Sequence, residues 1–200
     1  MSEPLSGFHA AAVLIGASSG GPPLVERILR VLPADFPAPI AVCQHMSPGF
    51  VEGWAHRLDP LCWLRVKVAE SGERFERGTV YLAQAGWHLR LFGDARAAFL
   101  QLEKPRPDSP VVPSVDHLFT SGAEVFGSRA LGVVLTGTGS DGAVGLLALR
   151  EAGAYTLIEQ PQSAVASGMP GSAAGLGAAI EAVPAAELPG VLLKRAMGVF

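Results

Sequence analysis

Residues Ala10–Gly21 read AAAVLIGASSGG: an unbroken apolar run stops at a loop of glycines and serines. Pro22 and Pro23 follow, a residue type well tolerated in a first helical turn. Leu24, Val25, Ile28, Leu29 and Leu32 then recur at helical spacing. The opening is therefore a buried strand, a tight loop and a helix.

The same grammar returns twice. Pro39–Gln44 is a second apolar strand, with His45 at its carboxyl end and a helix expected over Pro48–Leu58. Ala130–Leu135 is a third, and it runs into TGTGSDG (residues 136–142) before a helix over Ala143–Ala152. Ala154–Ile158 is a fourth. Strands buried on both faces and separated by helices predict a doubly wound α/β fold: a mostly parallel sheet with helices on both sides.

The middle of the chain reads differently. Leu64–Ala69 alternates polar and apolar residues, as a half-exposed strand does. Thr79–Ala83, Trp87–Phe92 and Ala97–Leu102 are further short strands, the last two joined by a turn at Gly93-Asp94. This section reads as antiparallel, a hairpin at a sheet edge. Lys104–Pro113 carries four prolines and is a loop. Ser114 suits the N-cap of a helix ending near Gly127. Gly168-Met169-Pro170 reads as a loop, and Pro189–Ala196 as a short terminal helix.

Composition narrows the functional classes. The 200 residues are 49% hydrophobic and 16% charged, with a net charge of −3 and a mean hydropathy of +0.34. Lys and Arg form no cluster in the sequence, which argues against a nucleic-acid partner. Two cysteines, Cys43 and Cys62, suit reduced thiols. Met1–Ala10 lacks the pattern of a signal peptide. No run approaches the ~18 apolar residues of a membrane span, so no membrane insertion is expected. These features predict a cytoplasmic protein, one domain over residues 1–200.

In open α/β sheets, ligands bind beyond the carboxyl ends of the strands. Here three such ends carry Ser18, His45 and Asp141. A serine hydroxyl needs a base within hydrogen-bond reach, and the base benefits from a carboxylate that fixes its tautomer. The three residues supply those roles in the chain order Ser, His, Asp. The loop after Ser18 opens a helix, so the Ser19 N–H is a candidate oxyanion donor, and the Thr138 N–H a second.

Each residue also has a plainer reading. The glycine loop fits a tight turn or phosphate cradle, His45 a structural histidine, and Asp141 a helix cap. Cys43, on the same strand face as His45, is an alternative nucleophile, although buried strand cysteines are usually inert. Met169, with Gly168, lines a substrate cleft or plugs the core. His9, His56 and His88 read as surface or packing residues.

Several segments together resemble the catalytic domain of the chemotaxis methylesterase (CheB) family. They are IGASSGG (15–21), QHMSPGF (44–50), PSVDHLF (113–119), LTGTGSDGAVGLLALREAGA (135–154) and GMP (168–170), with weaker support from AESGERFERGTVYLA (69–83) and His88. The resemblance implies a serine hydrolase that demethylates glutamate methyl esters on the cytoplasmic domains of methyl-accepting chemoreceptors. It also implies, for many members, deamidation of receptor glutamines. It assigns the nucleophile to Ser18, the base to His45, the acid to Asp141 and the oxyanion amides to Ser19 and Thr138, with no metal or cofactor. The chain departs from the family in four respects, the least of them Gln84 in place of a frequent proline. About nine residues precede the first strand, so no receiver domain is expected. Thr138 stands where Met is usual, and Val112 where an arginine is common before PSVD. Val112 and the missing receiver motivate an alternative, a catalytically quiet chemosensory interaction domain. Nucleotide binding through GASSGG lacks the lysine of a P-loop.

Overall fold

A computed structural model describes residues 9–199. Most of Met1–Ala10, on which the absence of a leader was read, lies outside the described residues. The elements are β1 (Ala12–Ala17), α1 (Gly21–Arg30), β2 (Ile40–Gln44), α2 (Val51–Leu58), β3 (Arg65–Val68), β4 (Thr79–Leu82), β5 (His88–Asp94), β6 (Ala97–Glu103), α3 (Val115–Phe126), β7 (Ala130–Val134), α4 (Ala143–Glu151), β8 (Tyr155–Glu159), α5 (Gly168–Gly175), β9 (Glu181–Val183) and α6 (Leu188–Ala196).

Seven strands form one sheet in the order β3-β4-β2-β1-β7-β8-β9, and every pairing in it is parallel. β1, β2, β7 and β8 are buried at every position, which explains their continuous apolar runs. The strand alternation assigns the two faces. Val13, Ile15 and Ala17 of β1 pack in a core with residues of α1, α2 and α6. Ala12 and Leu14 pack in a second core with α3 and α4. From the central β1 the chain moves one way to β2, and β7 lies on its other side. The carboxyl ends of these three neighbours therefore surround the point where strand order reverses, which is where such folds bind ligands.

The fold class agrees with the sequence reading, but the middle section differs in detail. β3 and β4 are parallel members of the main sheet. Among the named strands only β5 and β6 pair antiparallel, and they form a separate two-stranded sheet instead of extending the edge. Alternation reports which residues face a core; it carries no strand direction. The hairpin is held over α3, with Leu89, Leu91 and Leu100 in the same core as Leu118, Phe119 and Phe126. The Leu91 N–H donates to Ser121 Oγ at 3.0 Å. The connection between β3 and β4 runs along β6, with Gly72 N–H donating to Leu100 O and Phe75 N–H to Ala98 O. Gly168-Met169-Pro170 is the first turn of α5, not a loop. The edge strand β9 is only three residues long and leaves no readable period. No helix among the described residues is long and apolar enough to cross a membrane.

α3 and α4 touch backbone to backbone at Gly145. A Cβ there would lie 2.7 Å from Phe119 Cβ and 2.9 Å from Asp116 Cα. Gly145→Ala should therefore force the two helices apart and cost about 1–3 kcal/mol, measured by urea denaturation. Gly53→Ala, on an open face of α2 with nothing near its Cβ, should instead gain about 0.5–1 kcal/mol. Equal effects at the two positions would contradict this packing.

Candidate active site

β1 ends in the turn that carries Ser18. The Ser18 N–H donates to Thr136 O at 2.9 Å, and its C=O accepts from the Gly21 N–H at 2.9 Å. Gly20, the N-cap of α1, has φ 81°, a left-handed conformation that favours glycine. The turn is also crowded from the side of β7. A Cβ on Gly137 would lie 2.7 Å from Ser18 Cβ and closer still to Met169 Sδ. The absence of a side chain at 137 lets the post-β7 loop approach the serine.

His45 follows β2, and its backbone N–H donates to Ala17 O at 3.0 Å, tying it to the end of β1. Its side chain points to the α3 face of the sheet, where Nε2 lies 2.8 Å from Asp141 Oδ2. Asp141 sits in the loop between β7 and α4. Its carboxylate also accepts from the Ser114 hydroxyl at 2.9 Å, the Val115 N–H at 2.6 Å and the Asp116 N–H at 3.0 Å. The last two are free amides of the first turn of α3, where a helix binds negative charge well. Ser114 is the N-cap foreseen from the sequence, its oxygen accepting from the His117 N–H.

The electrostatics follow from these contacts. Burial alone would raise the Asp141 pKa. The hydrogen bonds from His45, the Asp116 and Val115 amides and Ser114 outweigh it, so the carboxyl is held below its ordinary value. Asp116 is the reverse case: burial lifts it, the Gly145 amide opposes, and the Asp141 charge adds to the lift. One carboxyl is thus kept anionic beside another that ionises less readily. Burial, then Asp141 and Asp116, raises the Cys43 thiol well above its usual value. That makes it a poor nucleophile at neutral pH.

Ser18, His45 and Asp141 line one cavity of about 530 Å³, together with His88, Ser109, Val111, Ser114, Asp116, His117 and Thr138. Among the described residues, neither the Ser19 nor the Thr138 N–H donates to a protein acceptor. Met169 is fully buried, and neither it nor Gly168 is among the residues lining the cavity. Gly168 packs against the backbone of Gly137 and Gly139. The pair supports the Thr138 loop from below; of the two sequence readings, the plug describes Met169.

Four contributors escape the sequence reading. His88, taken as a packing residue, is buried at the start of β5, where its Nδ1 accepts from the Ser114 N–H at 3.2 Å. Burial, then the neighbouring His117 at 4.1 Å between ring centroids, keeps its pKa below the usual value. Asp116 and His117 stand in the quoted PSVDHLF segment but carry no strand-end signal. Gln44 is 4% exposed, and its Nε2 donates to Ser18 O at 2.8 Å and to His45 O at 3.0 Å. Gln44 heads the quoted QHMSPGF segment and ends the second apolar strand, but neither position points to a role in the site.

Comparison with known proteins gives a consistent result. A family model described as CheB methylesterase matches residues 13–192. The protein-glutamate methylesterase/protein-glutamine glutaminase of Chromohalobacter salexigens is 44% identical over 184 residues, 92% of this chain and 52% of its own. That of Bordetella bronchiseptica is 46% identical over 184 residues with the same coverage. The chain spans about half the length of the curated relatives it matches. The crystal structure of the Thermotoga maritima CheB methylesterase catalytic domain matches with a TM-score of 0.88 at 38% identity, covering 94% of this chain and 99% of that one.

The Asp141 contacts generate a pH dependence. A carboxyl with a lowered folded pKa contributes stability above its unfolded value of about 3.9, lost as pH falls through the folded value. Asp141→Asn should thus be less stable than wild type by about 1–3 kcal/mol at pH 7. Denaturation series should show that gap closing as pH is lowered below about 4. Asp116 is raised and acts with the opposite sign; part of its lift comes from the Asp141 charge and is lost in the variant, so the gap reports the coupled pair. A gap constant from pH 7 to pH 3 would refute the assignment.

Proposed function

The chain belongs to the CheB methylesterase family, and we propose that it is a serine hydrolase that removes methyl esters from glutamate side chains of chemoreceptor cytoplasmic domains. The observation that carries the proposal is the His45–Asp141 contact of 2.8 Å in a cavity that Ser18 also lines.

The mechanism follows from which ring nitrogen is occupied. His45 uses Nε2 toward Asp141, so Nδ1 is left to receive a proton. Ser18 Oγ attacks the ester carbonyl carbon and its proton passes to His45 Nδ1. The carbonyl oxygen becomes an oxyanion, for which the Ser19 and Thr138 N–H groups are the proposed donors. The tetrahedral intermediate collapses, the C–O bond to the methoxy group breaks, and His45 returns the proton to release methanol. Water then attacks the acyl-enzyme with His45 again as base, which frees the glutamate carboxylate and restores Ser18. Asp141, held anionic by its four donors, stabilises the imidazolium formed in each half. A glutamine side chain follows the same course with ammonia as leaving group, so deamidation belongs to the same proposal.

Two features support an acidic protein segment as substrate. The cavity opens to solvent at its histidine wall, where His117 is exposed. An adjoining lobe is lined by Arg90, Lys104 and Arg106 together with Glu103 and Asp116. Arg90 pairs with Glu103 and Glu124, which leaves Lys104 and Arg106 as the positive charge beside the entrance although position 112 is valine. The proposed setting is the cytoplasm, where such receptor segments lie.

Ser18→Ala should keep the fold, by circular dichroism and thermal melting, while methanol release from methylated receptor falls by at least about 10³-fold. A fluorophosphonate probe should label Ser18 in the wild type. Undiminished release in the variant, or an unlabelled wild-type serine, would replace the hydrolase with an interaction domain.

A further inference from the structure

Gln44 holds the two halves of the site together through one amide group, and the atoms it chooses are informative. Both Nε2 hydrogens go to backbone carbonyls, Ser18 O at 2.8 Å and His45 O at 3.0 Å. The other end of the amide, Oε1, is buried and has no donor among the described residues. A buried acceptor without a partner destabilises a fold and calls for an explanation. Turning the amide over would remove both donors and set Oε1 against two carbonyl oxygens, so the orientation is dictated by the carbonyls. Oε1 lies over the first residue of α1, where any Cβ on Gly21 would overlap it. The space for this side chain exists only because residue 21 is glycine.

The Ser18 carbonyl shares a peptide plane with the Ser19 N–H. In a trans peptide the two groups point in opposite directions. Gln44 is the last residue of β2 and His45 follows it, its N–H still paired to Ala17 O, so their side chains face opposite sides of the sheet. Gln44 faces α1, and His45 faces the cavity beside α3. The Ser18 C=O, which accepts from both Gln44 Nε2 and the Gly21 N–H, is thereby held toward α1, and the Ser19 N–H of the same peptide is turned away from α1. A hydrogen bond to the carbonyl also polarises the peptide and strengthens its N–H as a donor. The second bond, to His45 O, fixes the loop that carries the base against the same amide.

We infer that Gln44 is a positioning residue for the oxyanion donor: its side-chain amide orients and polarises the Ser18–Ser19 peptide and ties it to the backbone of His45. This rests on the serine-hydrolase reading and adds to it a residue that never touches substrate. Its effect should appear in kcat and in affinity for a trifluoromethyl ketone, which forms an oxyanion on the serine, with little change in KM.

The test compares Gln44→Met, Gln44→Glu and Ser18→Ala in the full chain. Gln44→Met keeps the length of the side chain and loses both donors. It should melt cooperatively, keep KM within about threefold and lose about 10- to 100-fold in kcat, with a parallel loss in trifluoromethyl ketone affinity. Gln44→Glu should lose as much at pH 8, and part of the rate should return as pH falls, because a protonated carboxyl regains one donor. This pH-dependent rescue is the deciding readout if Gln44→Met does not fold. Unchanged kcat in a folded Gln44→Met, or a Gln44→Glu profile parallel to wild type, overturns the proposal while an inactive Ser18→Ala leaves the hydrolase intact. Turnover by Ser18→Ala overturns both.

Discussion

At the Asp141 carboxylate the loop after β7 meets two other segments. The carboxylate takes the imidazole of His45 from the end of β2, and from the start of α3 the Ser114 hydroxyl and two amides. A buried carboxylate without such partners would be strongly disfavoured. With them it acts as an anion at a helix N-terminus, favoured by the helix dipole and by direct donors. The same carboxylate holds the His45 ring at 2.8 Å, so the group that stabilises the local fold also fixes the imidazole proposed as the base. Gly145 donates to Asp116, so the approach of α4 to α3 continues the network into the second helix.

Close backbone approach is the other constraint. Gly137 admits the post-β7 loop beside Ser18, Gly21 makes room for Gln44, and Gly145 lets α4 lie on α3. Each is a place where an added methyl group meets an atom that cannot move without disturbing the site. The side chains of the candidate site are themselves ordinary. Their arrangement depends on how nearly three loops can touch.

Ser18, His45 and Asp141 are legible in the sequence because each follows an apolar run that reads as a buried strand, and parallel strands bring such ends to one edge of a sheet. Ser114 is legible as a cap, from its place after a proline loop. Local pattern does not carry lateral information. His88 looks like any strand residue until the hairpin is laid across α3, which brings its Nδ1 to the Ser114 amide. Met169 reads equally as cleft or core, and only the packing of α5 under Gly137 decides for core. The direction of β3 and β4 is hidden for a similar reason, since alternation is the same in parallel and antiparallel strands.

The hairpin spans the molecule from the site to the far edge of α3. Its first residue, His88, is one hydrogen bond from the Ser114 cap, while its turn at Asp94–Ala97 is anchored mainly by its own Asp94 side chain. Sequence drift is thus unequally tolerated along a single pair of strands. Changes of length or charge at the tip remain local, whereas a change at the root propagates to the carboxylate through Ser114. The two-stranded element is a graded boundary, free to diversify at one end and tied to the Ser114–Asp141 network at the other.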